Sequence, residues 1–351
     1  MKHKFHIISL TAVAALMIAG CESPTNPPSN IITVAPSPTL FVVNEGFFGH
    51  NNSSLDAMLF KTDSGKTDTI SDHNVLSGMG EGNDILLNGN RAIILDNGAN
   101  SIYILDVDSL KKLATIPMGI DGPNKMALIG TSLLLVTRRN QTSAAIIDLT
   151  ANAVVDTIGI GEPSIAVAVL DNKAFITSGN YNAPGHLHVI DLASRKQIAS
   201  SVILSDPERA VADSSSGQIV LGSDGIYQTV APRIYWVNAS TNALVDSVNA
   251  MNDSVSITFT TGGRVSLIEN GTLRALDDVN HTIGAPILSN SLSYYEGYYD
   301  AASNAYYLGN PGQGQAAFTG NGTIDAYNAS TGALLWSRSA GIAPAHFAFY
   351  H

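Results

Sequence analysis

Four side chains suited to binding fall within six residues near the start of the chain: Glu45, Phe47, Phe48 and His50. Two phenyl rings can wall a planar or bulky ligand, while a carboxylate and an imidazole fix its orientation. The same rings can instead pack over a seam between sheets. Arg138, Arg139 and Asn140 make a paired basic spot in an acidic chain. Guanidinium groups there can grip a carboxylate or phosphate bidentately, or form a salt bridge to Glu162 or Glu208. Asn180, Tyr181 and Tyr227 supply hydrogen bonding and stacking, or are plain surface turns. Glu208 with Arg209, the run Tyr294-Tyr295-Glu296, and His346 complete the candidate ligand contacts. In an enzyme, His346, Glu296 or Glu208 would serve as acid or base. Tyr298 and Tyr299, further along, read as packing.

Other chemistries find less support. His186 and His188 lie two apart on a predicted strand and so share a face, which permits two metal ligands. No third ligand is specified beside them, and neither a metal nor an organic cofactor is expected. H-E-x-x-H, G-x-S-x-G, a phosphate-binding glycine loop and EF-hand spacing are all missing. Asp106, Asp148, Asp191 and Asp277 look catalytic one at a time. Their recurrence at one position of a repeated unit makes them turn residues, whose carboxylates cap the local backbone.

That unit is clearest in NSIYILDVDSLKKLATIPMG, Asn100 to Gly119. An alternating strand, a polar turn opened by Asp106 and a second strand closed by glycine form a half-buried hairpin. Copies start near Leu55, Ala144, Leu187, Ile234, Leu273 and Ile324. Their turn-opening residues are Lys61, Asp106, Asp148, Asp191, Asn238, Asp277 and Asn328, separated by 45, 42, 43, 47, 39 and 51 residues. An all-β period of this size predicts propeller blades of about 40 to 50 residues. Inner strands begin near Asn83, Asn124, Ser164, Glu208, Ser254 and Ser293, three of them after Pro123, Pro163 and Pro207, where proline sacrifices no ladder bond. Leu40 to Asn44 reads as a second strand lacking an inner one, and Ala343 to Tyr350 as an inner strand with nothing after it. Paired, they complete a seventh blade and remove the open edge; otherwise the last residues are a loose tail. The expected fold is an all-β, seven-bladed propeller over residues 40–351. The loops that carry the candidates, Glu45–Asn52, Arg138–Thr142, Asn180–Gly185, Asp224–Pro232 and Gly309–Gly322, would share its face.

Composition agrees: 45% hydrophobic and 13% charged residues supply a large core, and 31 glycines with 14 prolines supply turns. Residues 1–20 read as a lipoprotein signal peptide, with Lys2 and Lys4 before an apolar run and Ile18-Ala19-Gly20-Cys21 as the lipobox. Cys21, the sole cysteine, would be acylated, which excludes a disulfide or a cysteine nucleophile. Residues 21–39 read as the acylated cysteine and a flexible tether. Glu22 rather than Asp after the cysteine favours the outer membrane. Without residues 1–20 the chain carries 16 basic against 29 acidic residues, a net charge of −13. Such a surface repels phosphate backbones, so no nucleic-acid partner is expected.

The repeat strand–Asn–loop–IxxxD–turn–(V/L)xxTIxxG–xxP resembles the YVTN-type, YncE-like seven-bladed propellers. The opening FVVNEGFFG, Phe41 to Gly49, behind a lipobox is similar to surface-layer-type propeller lipoproteins of Bacteroidota. The resemblance covers residues 40–351 and departs in units five to seven, where Asn238 and Asn328 replace Asp and loops lengthen. It implies a non-enzymatic binding protein, some members resembling the surface proteins that capture cobalamin beside TonB-dependent transporters. The functional expectation is therefore a lipid-anchored envelope propeller that binds a small-molecule nutrient such as a corrinoid, a glycan or a partner protein. The alternative is a propeller lyase or hydrolase with dispersed acid and base residues.

Overall fold

A computed structural model describes residues 38–63, 66–250, 258–262, 264–269, 271–313 and 318–351. The expected signal peptide, Cys21 and most of the expected tether lie outside the described residues. All regular structure described is β-strand, in antiparallel sheets of one repeated plan.

The first sheet joins both ends of the chain. Its strands β1 (Thr39–Asn44), β2 (Ser53–Asp63) and β3 (Lys66–Met79) are completed by the final strand, here β28 (Pro344–Tyr350), in the order β28-β1-β2-β3. Thr39 faces Tyr350 and Val43 faces His346 across that pair. The C-terminal segment is thus a paired strand and not a loose tail. Four sheets follow in which consecutive strands pair. They are β4–β7 (Gly82–Asn88, Arg91–Asp96, Ser101–Asp106, Lys112–Pro117) and β8–β11 (Pro123–Ile129, Leu133–Arg138, Ser143–Asp148, Ala153–Gly159). Then come β12–β15 (Ser164–Leu170, Lys173–Gly179, Pro184–Asp191, Lys196–Ser205) and β16–β19 (Arg209–Asp213, Gln218–Ser223, Arg233–Asn238, Leu244–Asn249).

The last sheet has eight strands. Its halves are β20–β23 (Thr258–Gly262, Ser266–Glu269, Thr272–Asp277, Thr282–Ser289) and β24–β27 (Gly297–Asp300, Ala305–Asn310, Asn321–Asn328, Leu334–Ile342). They meet through a short parallel pairing of β20 with β24, which the repeat pattern does not foretell. Glycine permits that approach: a Cβ on Gly262, at φ +93°, would lie 2.3 Å from the Tyr299 carbonyl oxygen. The predicted start of an inner strand at Ser254 falls outside the described residues. The one predicted near Ser293 begins at Gly297.

Local chemistry accounts for the hairpins. The side-chain oxygen of Asp106 accepts the N–H of Ser109 at 2.8 Å, and that of Asp148 the N–H of Thr150 at 2.7 Å. Asp191, Asn238, Asp277 and Asn328 cap their own turns in the same way. The six turn residues are structural, and asparagine substitutes for aspartate without altering the device.

Second strands such as β5, β9 and β17 are almost wholly buried, whereas the outermost β7, β11, β19 and β27 are largely exposed. The reason is packing on both faces. Seven apolar clusters fill the spaces between successive four-stranded units among the described residues. One of them sets Leu40, Val42 and Phe349 of the first sheet against Tyr307, Ile324 and Ala326 of the last half-sheet. Each fully buried Leu, Ile, Val or Phe contributes about 1.5–3 kcal/mol. The innermost strands neighbour one another in the order β4, β8, β12, β16, β20, β24 and β28, and β28 also lies against β4.

Candidate functional site

The innermost strands begin on the side of the molecule that carries the first loop, and there a layer of charged side chains crosses between them. Its centre is His346, third residue of β28 and 4% exposed. Glu45 follows β1, whose pairing with β28 continues as a bond from the Glu45 N–H to the Ala343 carbonyl. Glu296 directly precedes β24. The three meet because those strands are neighbours: His346 Nε2 lies 2.9 Å from Glu45 Oε1, and Nδ1 lies 2.7 Å from Glu296 Oε2. Burial alone would strip the proton from His346, but the charge of Glu296 and bonds to both carboxylates prevail, so it is pushed up to about 9. Burial likewise opposes the charge on Glu296, yet His346 and Lys125 hold it down at about 2. The Tyr295 hydroxyl donates to Glu45 Oε2 at 2.7 Å. Burial first, and then the charge of Glu45, push that phenol well above its ordinary value.

Lys125 on β8 joins this triad to the neighbouring strands. Its Nζ donates to the Asn83 carbonyl at 2.7 Å and stands 3.9 Å from Glu296 Oε1. A second pair lies across the layer. Arg139 forks onto Glu208, Nη2 to Oε2 at 2.5 Å and Nη1 to Oε1 at 3.3 Å, while its Nε donates to Asn124 Oδ1 at 2.9 Å. Burial works against the Glu208 carboxylate, but the Arg139 charge keeps it low. Arg209 Nη1 donates to the Glu208 carbonyl at 3.2 Å. Every ion in the layer has an opposite charge close by, as side chains out of water require.

Above this layer opens a cavity of about 950 Å³. The layer supplies its floor through Lys125, Glu208, Arg209 and Glu296, and Glu45, Glu81, Asp224, Arg139, Tyr295 and three asparagines wall it. Phe48 and Tyr181 stand at its rim, 78% and 83% exposed. It can receive a polar ligand that inserts between loops and leans on those rings.

Of the expected contacts, the structure brings Glu45, Phe48, Arg139, Tyr181, Glu208, Arg209, Tyr295, Glu296 and His346 to this cavity or its floor. The others lie elsewhere. Arg138 turns into its own sheet, bonded to Asp121 and to the Ser143 carbonyl. Asn140 reaches the Ile120 carbonyl at 3.3 Å. Phe47 and His50 lie against each other with tilted rings, centroids 4.5 Å apart. Asn180 is exposed beside the rim, and Tyr227 is an exposed loop residue whose N–H binds Asn182. Tyr294 is core: its hydroxyl lies 2.5 Å from that of Tyr327, and burial pushes it up. The salt-bridge reading of the basic pair describes Arg139. His186 bonds Glu162, while His188 is held by Ser178 and Gln197. No cluster of three or more potential metal ligands occurs among the described residues.

Sequence reasoning passed over Lys125, Glu81, Asn83, Asn97, Asn124 and Asp224. A signal existed for two of them. Asn83 and Asn124 open successive inner strands and are linked, Nδ2 of the first to Oδ1 of the second at 3.0 Å. Repetition at a strand start marked a position facing the cavity.

No protein-family model matches the chain, and no curated protein matches it. Solved structures do. The computationally designed Ika8 protein is 12% identical, with a TM-score of 0.58 over 87% of this chain and 89% of that one. Hydrazine synthase of Kuenenia stuttgartiensis is also 12% identical, with a TM-score of 0.59 over 74% of this chain and 86% of that one. At such identity the likeness carries the fold alone. The chain has an all-β, propeller-like fold.

Proposed function

We propose that this chain is a lipid-anchored, non-enzymatic binding protein of the bacterial envelope, whose cavity above the charged layer receives a small-molecule nutrient, a glycan or a segment of a partner protein. The observation that carries the reading is the cavity of about 950 Å³ set between loops on a floor of mutually paired ions. A floor whose charges are already matched is rigid and pre-organised, which lowers the entropic cost of binding. Capture of a corrinoid for a TonB-dependent transporter is the sharpest version, from the resemblance of the repeats. The proposal includes a closed seven-bladed propeller of the YncE-like type. It draws support from β28 pairing with β1, from β28 lying against β4 and from the seven intersheet clusters. Anchoring at the outer membrane draws support from the lipobox and Glu22.

The geometry favours binding over catalysis. Both ring nitrogens of His346 are committed to carboxylates and the imidazole is held charged at neutral pH, so it is a poor general base. Glu208 is tied in its fork with Arg139.

The test is a thermal-shift screen over corrinoids, haem, metals and glycans. A ligand at a hundredfold excess over its Kd stabilises by about 2.7 kcal/mol. Glu45→Ala, Arg139→Ala and Tyr181→Ala should each weaken the shift of a ligand so found. A shift that survives all three substitutions refutes this cavity as the binding site. Fatty-acid labelling that is lost in Cys21→Ser checks the anchor.

A further inference from the structure

A second space lies on the other side of the charged layer. It is a chamber of about 400 Å³ between the innermost strands, and Lys125, Glu208, Arg209 and Glu296 border both spaces. The layer is therefore the floor of one and the ceiling of the other. Below that ceiling the walls are apolar: Leu86, Leu87, Val167, Val211, Phe259 and Phe349. Leu86, Leu87 and Val211 are only half-buried, although they sit on innermost strands with their neighbours packed beside them. Their remaining apolar surface faces the chamber.

The charged groups gather at one end, and Thr261 and Tyr298 are the further polar side chains of the lining. Three acids, Asp84, Glu208 and Glu296, and three bases, Lys125, Arg209 and His346, line that end. Glu296 is matched by His346 and Lys125, and Glu208 by Arg139. A charged ligand would enter this balanced set with no counterion and would lose its own hydration. A neutral one meets no such penalty. The volume falls within the range typical of small-molecule sites, roughly 300–1,000 Å³.

We infer that the chamber binds a neutral, largely apolar small molecule, a ring system or branched hydrocarbon. The inference does not depend on what occupies the cavity on the other side of the layer.

The full chain is titrated with N-phenyl-1-naphthylamine, a neutral fluorophore, and in parallel with the anionic 1-anilinonaphthalene-8-sulfonate. The neutral probe should bind saturably with one-to-one stoichiometry, at least tenfold more tightly than the anion. Ala168→Trp, which fills the chamber, should weaken it at least tenfold, and Tyr181→Ala at the opposite rim should leave it unchanged. Val211→Phe replaces Ala168→Trp if the latter fails to show the β-sheet circular dichroism of the wild type. Neutral 2-naphthol should displace the probe and 2-naphthoate should not. Equal binding of the anion, no saturable binding of the neutral probe, or wild-type binding by a folded chamber-filling variant would each overturn the inference. Loss of binding in Tyr181→Ala would do so as well.

Discussion

Replacing His346 by glutamine tests whether the charged layer holds the two chain ends together. The histidine bridges Glu45, just after β1, and Glu296, just before β24, from its own position on β28. It titrates near 9 in the folded protein against an ordinary 6.5. At about 1.4 kcal/mol per pH unit, its proton is bound about 3 kcal/mol more tightly in the native state. The sign follows from the upward direction. The stabilisation is fully present below about pH 6.5 and is lost as pH rises through about 9. Glu296, held down at about 2, describes the same contact from its other side, so the two effects do not add. Its share is present above its ordinary value of 4.5 and is lost as pH falls through about 2. Urea unfolding at pH 6 should show His346→Gln to be about 3–5 kcal/mol less stable, since Glu45 and Glu296 lose the cation that bridges them and Glu296 keeps only Lys125 at 3.9 Å. Between pH 6.5 and 9.5 the wild type should lose about 3 kcal/mol while the variant stays nearly flat, with equal m-values. Parallel curves for the two proteins over that interval would refute the argument.

Two further outcomes follow from the fold. Removing residues 344–351 strips β1 of one of its two partners and uncovers Leu40, Val42 and Phe60; the product should aggregate or lose its cooperative urea transition, as gel filtration and circular dichroism would record. Gly262→Ala places a Cβ 2.3 Å from the Tyr299 carbonyl at a positive φ; calorimetry should show a lower Tm, with a cost of about 1–3 kcal/mol.

The charged layer is best understood as a rigid partition. Its ions are buried, and removing one leaves its partner unpaired at a cost of about 3–5 kcal/mol. The same constraint keeps the side chains in one arrangement and separates a polar cavity above from an apolar chamber below. Two spaces with opposite chemistry on either side of one floor suit ligands of different kinds.

The sequence alone determined the repeated unit, because hairpins are local. Alternation, a capping Asp or Asn and a closing glycine lie within twenty residues, and each turn is satisfied by atoms two or three positions away. It also determined the pairing of the ends, since LFVVN and APAHFAFY each read as half of a unit. What the tertiary structure decided is which side chains face which space. Arg138 and Arg139 are adjacent, yet one bonds within its sheet and the other reaches Glu208, 69 residues away. Tyr294 and Tyr295 split likewise, one to the core beside Tyr327 and one to Glu45. Consecutive residues on extended backbone point to opposite sides, so the outcome depends on register at a strand end, where no periodic pattern remains to be read. Lys125 drew no notice for a related reason: a lone lysine acquires meaning only when packing brings it beside His346, 221 residues later.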